Sequence, residues 1–291
     1  MSFHQILGIV FLAIISLMLN KKPQATELKR GQYIYNSSGC GSCHGIEDHT
    51  KTRAGANNLP MAGGRRIKTP YGVFHSPNIT PDKVTGIGSW TFKEFRKSMT
   101  EGKAPDGMPY YPVFPYTSYK SMTERDLRDL WNFIKSQPAY FKPNKPHELD
   151  FPFSIRTLMY IWQFLFFETR PTVIPDNLNP ADWKRGAYLV KVLGHCGECH
   201  TPRNIFGAMN LKLELSGNPR DLDGKIPDLT SKNSQGIFSW SKQDIEEYLS
   251  SGMTPEGDFA GGKMAEVIEN STSKLSPADV EAIAVYLKSL H

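Results

Sequence analysis

The sequence predicts an all-α molecule of two like halves joined by a proline-rich linker. Three observations predict it. The first is internal repetition: Leu28-Lys29-Arg30-Gly31-Gln32-Tyr33 is answered by Trp183-Lys184-Arg185-Gly186-Ala187-Tyr188. The second is helix-start chemistry. Thr123-Glu-Arg-Asp126 and Ser276-Pro-Ala-Asp279 each place a hydroxyl three residues ahead of a carboxylate, which marks an N-terminus whose exposed amides need acceptors. The third is apolar spacing. Leu127, Leu130, Phe133 and Ile134 recur at helical intervals, as do Val280, Ile283, Ala284 and Leu287.

Taken in order, each half reads as an opening helix, a cysteine motif, a long loop, a middle helix, a second loop and a terminal helix. The repeated Lys-Arg-Gly-x-Tyr opens the first helix. In the long loop Asn78-Ile79-Thr80 corresponds to Asp228-Leu229-Thr230, and Ile87-Gly88-Ser89-Trp90 to Ile237-Phe238-Ser239-Trp240. Both tryptophans precede the middle helix. The terminal helices end in Ile134-Lys-Ser136 and Leu287-Lys-Ser289. Expected boundaries are a signal or anchor helix at 1–22, a first domain at 23–137, a linker at 138–180 and a second domain at 181–291.

Composition supports a globular chain. Hydrophobic residues are 39% of the 291 and charged residues 22%, which excludes both disorder and full membrane burial. The net charge of +5 is too small and too scattered for nucleic acid, so no such partner is expected. Phe3 to Leu19 is a nearly unbroken apolar run of about the length that spans a bilayer. A cleaved signal peptide and a retained anchor both fit it, and the thin basic flank with no small-x-small cleavage site favours the anchor. The linker carries a second apolar block, Phe151 to Phe167, read as an interdomain helix or as an aromatic face for a partner or a membrane surface.

The four cysteines all fall in two motifs, Cys40-Gly-Ser-Cys43-His44 and Cys196-Gly-Glu-Cys199-His200, leaving none for a disulfide. Cys-x-x-Cys alone fits a dithiol or half a zinc site. An immediate histidine is instead the spacing of c-type haem attachment: two thiols join the vinyl groups and the next residue lies under the iron. Two covalent haem c groups are expected, with His44 and His200 as proximal ligands. Attachment of this kind takes place outside the cytoplasm, so these domains are expected to face the periplasm from a bacterial cytoplasmic membrane.

A haem that only passes electrons needs a sixth ligand, and methionine is the usual choice. Met264, in the glycine-flanked loop 12 residues before Ser276, is the expected one in the second half. In the first half Met122, next to the Thr123 cap, is preferred over Met108, although Met122 also suits a helix staple position like its counterpart Leu275. The expected metal ligands are thus His44, Met122, His200 and Met264, with Cys40, Cys43, Cys196 and Cys199 as attachment points and no catalytic residue.

Together the motifs and helices describe tandem class I cytochrome c-like domains. Several phrases are more specific: Ala62-Gly63-Gly64, Thr69-Pro70-Tyr71-Gly72, Pro77-Asn78-Ile79-Thr80-Pro81-Asp82, Tyr111-Pro-Val-Phe114-Pro-Tyr116 and Gly262-Lys-Met264-Ala-Glu-Val267. On these the chain resembles the multihaem cytochrome c subunits of bacterial periplasmic dehydrogenases, those of quinoprotein alcohol and flavin sugar-acid types. The resemblance implies electron relay from a dehydrogenase to a cytochrome, a quinone or a terminal oxidase. It also marks departures: those subunits commonly carry three haem motifs, and many have methionine where Phe114 stands. The alternative reading is a dihaem redox enzyme, a peroxidase or thiosulfate-oxidising type, working at an open first haem.

Overall fold

The computed structural model describes residues 25–45, 61–168, 180–222, 224–230 and 237–290. The expected N-terminal anchor lies outside them. Among the described residues no helix is long and apolar enough to cross a membrane.

The first half opens with α1 (Ala25–Ser37) and closes with α5 (Glu124–Ser136); the second opens with α7 (Ala181–Tyr188), extended by a π-turn at Leu189–Leu193, and closes with α11 (Pro277–Lys288). Opening and terminal helices cross at the glycine of the repeated motif. A β-carbon on Gly31 would sit 2.1 Å from the Asp129 carbonyl and 2.6 Å from Phe133 Cβ. One on Gly186 would sit 1.9 Å from the Ala282 carbonyl and 2.8 Å from Tyr286 Cβ. Only glycine lets the two backbones approach this closely, so the same packing is built twice from the same residue.

Short attachment helices follow, α2 (Cys40–His44) and α8 (Gly197–His200). The middle helices are α3 (Phe92–Glu101) and α9 (Lys242–Ser251), each started by a reciprocal capping box: Thr91 with Glu94, and Ser241 with Asp244. Both end on a left-handed glycine, Gly102 and Gly252. The Lys-Ser endings of the terminal helices also gain a role. Lys135 Nζ donates to the Gly88 carbonyl, and Lys288 Nζ to those of Phe238 and Trp240, tying each last helix to the tryptophan loop.

Helices dominate as expected, but two small sheets accompany them. Strands β1 (Arg66–Thr69), β2 (Gly72–His75) and β3 (Glu148–Leu149) form an antiparallel sheet in the order β1-β2-β3, and β4 (Asn218–Asp221) pairs with β5 (Gly224–Ile226). The Thr69-Pro-Tyr-Gly72 turn folds β1 onto β2, and the linker adds β3 by pairing Glu148 with Val73. Strands of two to four residues are too short for a period-2 signal to stand out in the sequence.

The apolar linker block forms α6 (Leu158–Phe166), which packs between the halves. Met159 and Trp162 are buried with Phe74, Tyr111, Tyr116 and Ala208. Gln163 donates to the carbonyls of Glu101 and Gly102 in the first half, while Trp162 Nε1 donates to Phe206 in the second at 2.8 Å. Its outer side leaves Tyr160, Ile161, Phe164 and Leu165 exposed.

The main core is continuous across both halves. Ile34, Leu127, Leu130 and Tyr119 from the first join Val190, Leu193, Ile283 and Tyr286 from the second in one buried cluster. Burying each such side chain contributes about 1.5–3 kcal/mol, so the shared cluster holds the two halves together.

Candidate haem sites

Each attachment motif folds as a single helical turn, which puts both thiols and the histidine on neighbouring positions of one short element. His44 Nδ1 lies 2.8 Å from the Pro77 carbonyl, and His200 Nδ1 lies 2.8 Å from that of Pro227. A carbonyl only accepts, so each Nδ1 carries the proton and Nε2 keeps its lone pair for a metal. Burial lowers the pKa of both imidazoles, in each case against the carbonyl bond, so they are neutral and ready to ligate at neutral pH.

The proline carbonyls are held by a local device that the sequence repeats. Asn78 Oδ1 accepts from Thr80 N and Oγ1 at 2.9 and 2.7 Å, and Asp228 Oδ1 accepts from Thr230 N and Oγ1 at 2.6 and 2.8 Å. This turn fixes the loop one residue after the acceptor proline. The histidine backbone is anchored alike: Gly63 N donates to the His44 carbonyl and Gly217 N to that of His200, both at 2.8 Å. Pro77, Pro227, Gly63 and Gly217 belong to these sites although no side-chain chemistry marks them. The repeated Pro-(Asn/Asp)-x-Thr phrase was the one signal that could have found them.

Burial pushes the Cys40 and Cys196 thiols up to about 12, so both are protonated near neutral pH. Among the described residues no cluster of three or more histidine, cysteine or acidic side chains could hold a bare metal ion. Neutral thiols beside an oriented, neutral imidazole, found twice, fit thioether attachment of haem with axial histidine.

The halves meet through their repeated motifs in a reciprocal way. Arg30 pairs with Asp126 and Asp129 of its own terminal helix, and Arg185 grips Asp279 with two bonds, at 2.8 and 2.6 Å. The tyrosines cross over: Tyr33 OH donates to Asp279 at 2.5 Å and Tyr188 OH to Asp126 at 2.6 Å. Each hydroxyl also accepts the cap amide of the opposite half, Ser276 N at 3.0 Å and Thr123 N at 3.1 Å. Asp126 and Asp279 were expected only as capping residues. The structure gives their carboxylates to this exchange, while Thr123 and Ser276 cap the helices.

The attachment turns lie near this seam. Arg65 donates to the Ser42 carbonyl within the first attachment turn and to the Glu266 carboxylate, two residues after Met264. Glu198, inside the second motif, accepts from Thr117 and Ser118 of the first half at 2.6 and 3.1 Å. His195, before the second motif, packs on the Tyr119 ring at 5.5 Å.

Met264 and Met122 occupy different kinds of place. Met264 is a partly buried residue in α10 (Gly262–Asn270), at the edge of the shared core. Met122 is 6% exposed inside that core. It directly precedes the Thr123 cap, the place that Leu275 holds before Ser276 in the second half.

These paired sites define a c-type cytochrome. Residues 28–138 match the cytochrome c family. The chain is 42% identical to a protein described as diheme cytochrome c-type from Cereibacter sphaeroides, over 90% of this chain and 85% of that one. It is 40% identical to the fructose dehydrogenase cytochrome subunit of Gluconobacter japonicus and 35% identical to the gluconate 2-dehydrogenase cytochrome c subunit of Pantoea cypripedii. Those matches cover 90% of this chain but only 52% and 59% of the relatives, so the chain spans little more than half their length. The chain belongs to the cytochrome c family of these proteins, with covalently bound haem c and a role in electron transfer.

Proposed function

We propose that the chain carries two haem c groups in tandem class I cytochrome c-like domains and relays electrons from a periplasmic dehydrogenase to a cytochrome, a quinone or a terminal oxidase. The observation that carries this is the duplicated site: Cys-x-x-Cys-His with its histidine oriented by a proline carbonyl, built twice with the same bonds. When bound, haem supplies a one-electron Fe(III)/Fe(II) couple. The chain's part is to hold it. His44 and His200 offer Nε2, Met264 offers a thioether, and the four cysteines form the covalent links. Each attachment turn touches the other half, through Arg65 with Glu266 and through Glu198 with Thr117 and Ser118, which supports electron passage between the two sites. The dehydrogenase partner comes from the names of the relatives, and the 17-residue apolar run supports an anchor that leaves the haem domains in the periplasm of a bacterium.

The test is haem stoichiometry followed by reduction. Protein matured with c-type haem attachment should contain two haems per chain, and Cys196→Ala/Cys199→Ala should contain one. Membranes holding a cognate dehydrogenase should then reduce both haems on addition of its substrate. A count of one in the wild type, or reduction of neither haem, would overturn the proposal.

A further inference from the structure

The two halves share one register through the middle of the chain, and it shows which first-half residue stands where Met264 stands. Gly102 and Gly252 end the middle helices, and Tyr110 N and Ala260 N donate back to their carbonyls at 2.7 and 2.8 Å. Between them the isolated bridges Lys103–Pro109 and Met253–Phe259 close matching loops. Every one of these pairs is separated by the same 150 positions, as are Asn78 and Asp228 behind the histidines. Continued four residues past Tyr110 and Ala260, the register sets Phe114 opposite Met264. Both are partly buried and pack on the same core.

The other methionines described in the first half are accounted for. Met61 corresponds to Leu215, since Ile79 N and Leu229 N donate to their carbonyls at 2.9 Å. Met99 corresponds to Leu249 on the middle helix and Met108 to Asp258 in the loop. Met122 corresponds to Leu275 ahead of the cap. Each stands at a place where the second half uses a residue that is not an axial ligand, and Met61, Met99 and Met122 are buried. Met108 lies with its sulfur 3.5 Å from the Tyr160 hydroxyl of the linker helix.

We propose that Phe114 replaces the sixth ligand, so the first haem site has no protein donor opposite His44 and takes a small neutral diatomic ligand such as carbon monoxide or nitric oxide. Phe114 is ringed by Tyr110, Tyr116 and Tyr119 at centroid distances of 5.7, 6.3 and 6.0 Å. The Phe114 ring offers no donor atom to a metal, and the neighbouring Tyr119 hydroxyl is engaged with the Ser38 carbonyl at 2.9 Å. Binding is reversible coordination through the ligand's lone pair, with nothing oxidised or reduced. The inference rests on the two-haem reading and replaces Met122 as the fourth axial ligand.

The experiment uses the full holoprotein with its haem count measured first, so that loss of the two-haem reading is seen separately. The far-red band of methionine-ligated ferric haem should have the intensity of one haem per chain. Ferrous protein should bind one equivalent of carbon monoxide, and Phe114→Met should double the band and abolish that binding. Met264→Leu should remove the band, whereas Met122→Leu and Met108→Leu should leave it unchanged. A two-haem band in the wild type with no carbon monoxide binding would overturn the proposal. So would loss of half the band in Met122→Leu or Met108→Leu, which would name the ligand instead.

Discussion

The first half runs nine residues from Phe114 to its helix cap at Thr123; the second runs twelve from Met264 to Ser276. In this stretch the second half runs through most of α10 and a short 3-10 turn at Thr272–Lys274, while the first half builds only α4 (Tyr116–Tyr119). The surroundings diverge in the same place. Aromatic rings crowd Phe114, whereas Met264 sits between two glycines and the Arg65–Glu266 bond. Proximal histidine, proline carbonyl, capped helices and glycine crossing are shared. The difference is concentrated around Phe114 and Met264, in the segment that leads to each terminal helix.

The largest effect should come from breaking what the halves share. Gly31→Ala and Gly186→Ala each force a β-carbon into helix backbone. Each should cost about 3 kcal/mol and lower Tm by roughly 6–12 °C. If one variant melts like the wild type, the two crossings are not equivalent. Next come the crossed tyrosines. Tyr33→Phe and Tyr188→Phe each remove a bond to a carboxylate, worth about 1.5–3 kcal/mol in urea titrations. Haem spectra should not change, which separates a loss at the seam from a loss at the site.

A pH series sharpens the second half in particular. Burial alone would raise the Asp279 carboxyl, but its bonds to Arg185 and Tyr33 outweigh that and hold it below the ordinary value. A depressed carboxyl gives stability that is present above the ordinary carboxylate range and is lost as pH falls through the lowered pKa. Asp279→Asn should therefore be less stable than wild type at neutral pH, with the gap in urea midpoint closing below about pH 4. A gap that stays constant would show that the ion pair does not drive it. The smallest effect should be at the helix ends. Lys288→Met loses bonds to two carbonyls and Lys135→Met a bond to one, about 1 kcal/mol or less apiece, with Lys288 the costlier.

Much of this was legible in the sequence for physical reasons. Covalent attachment needs two cysteines and a histidine at one spacing, so the two motifs stand out in the sequence. Capping and helical periodicity are local, so the opening, middle and terminal helices could be placed. The role of Tyr33 could not be read, because its partner Asp279 is 246 residues away and belongs to the other half. Met122 drew attention as a ligand because it lies beside the cap. Counted from the helix-ending glycines Gly102 and Gly252 instead of from the caps, the residue level with Met264 is Phe114, because the loops to the two caps are unequal. The small sheets and the continuity of the core across both halves are tertiary facts with no short-range signature.

The crossed tyrosines carry one more consequence. An arginine kept at home and a tyrosine lent to the neighbour, each way, is the pattern of an isologous twofold dimer, realised here inside one polypeptide. Surfaces that match in this manner hold without a peptide between them. A chain hydrolysed between Glu168 and Pro180 should still elute from size-exclusion chromatography as a single particle containing both fragments, and separation of the fragments would refute this. The linker then only turns a partner that could dissociate into one that is always present.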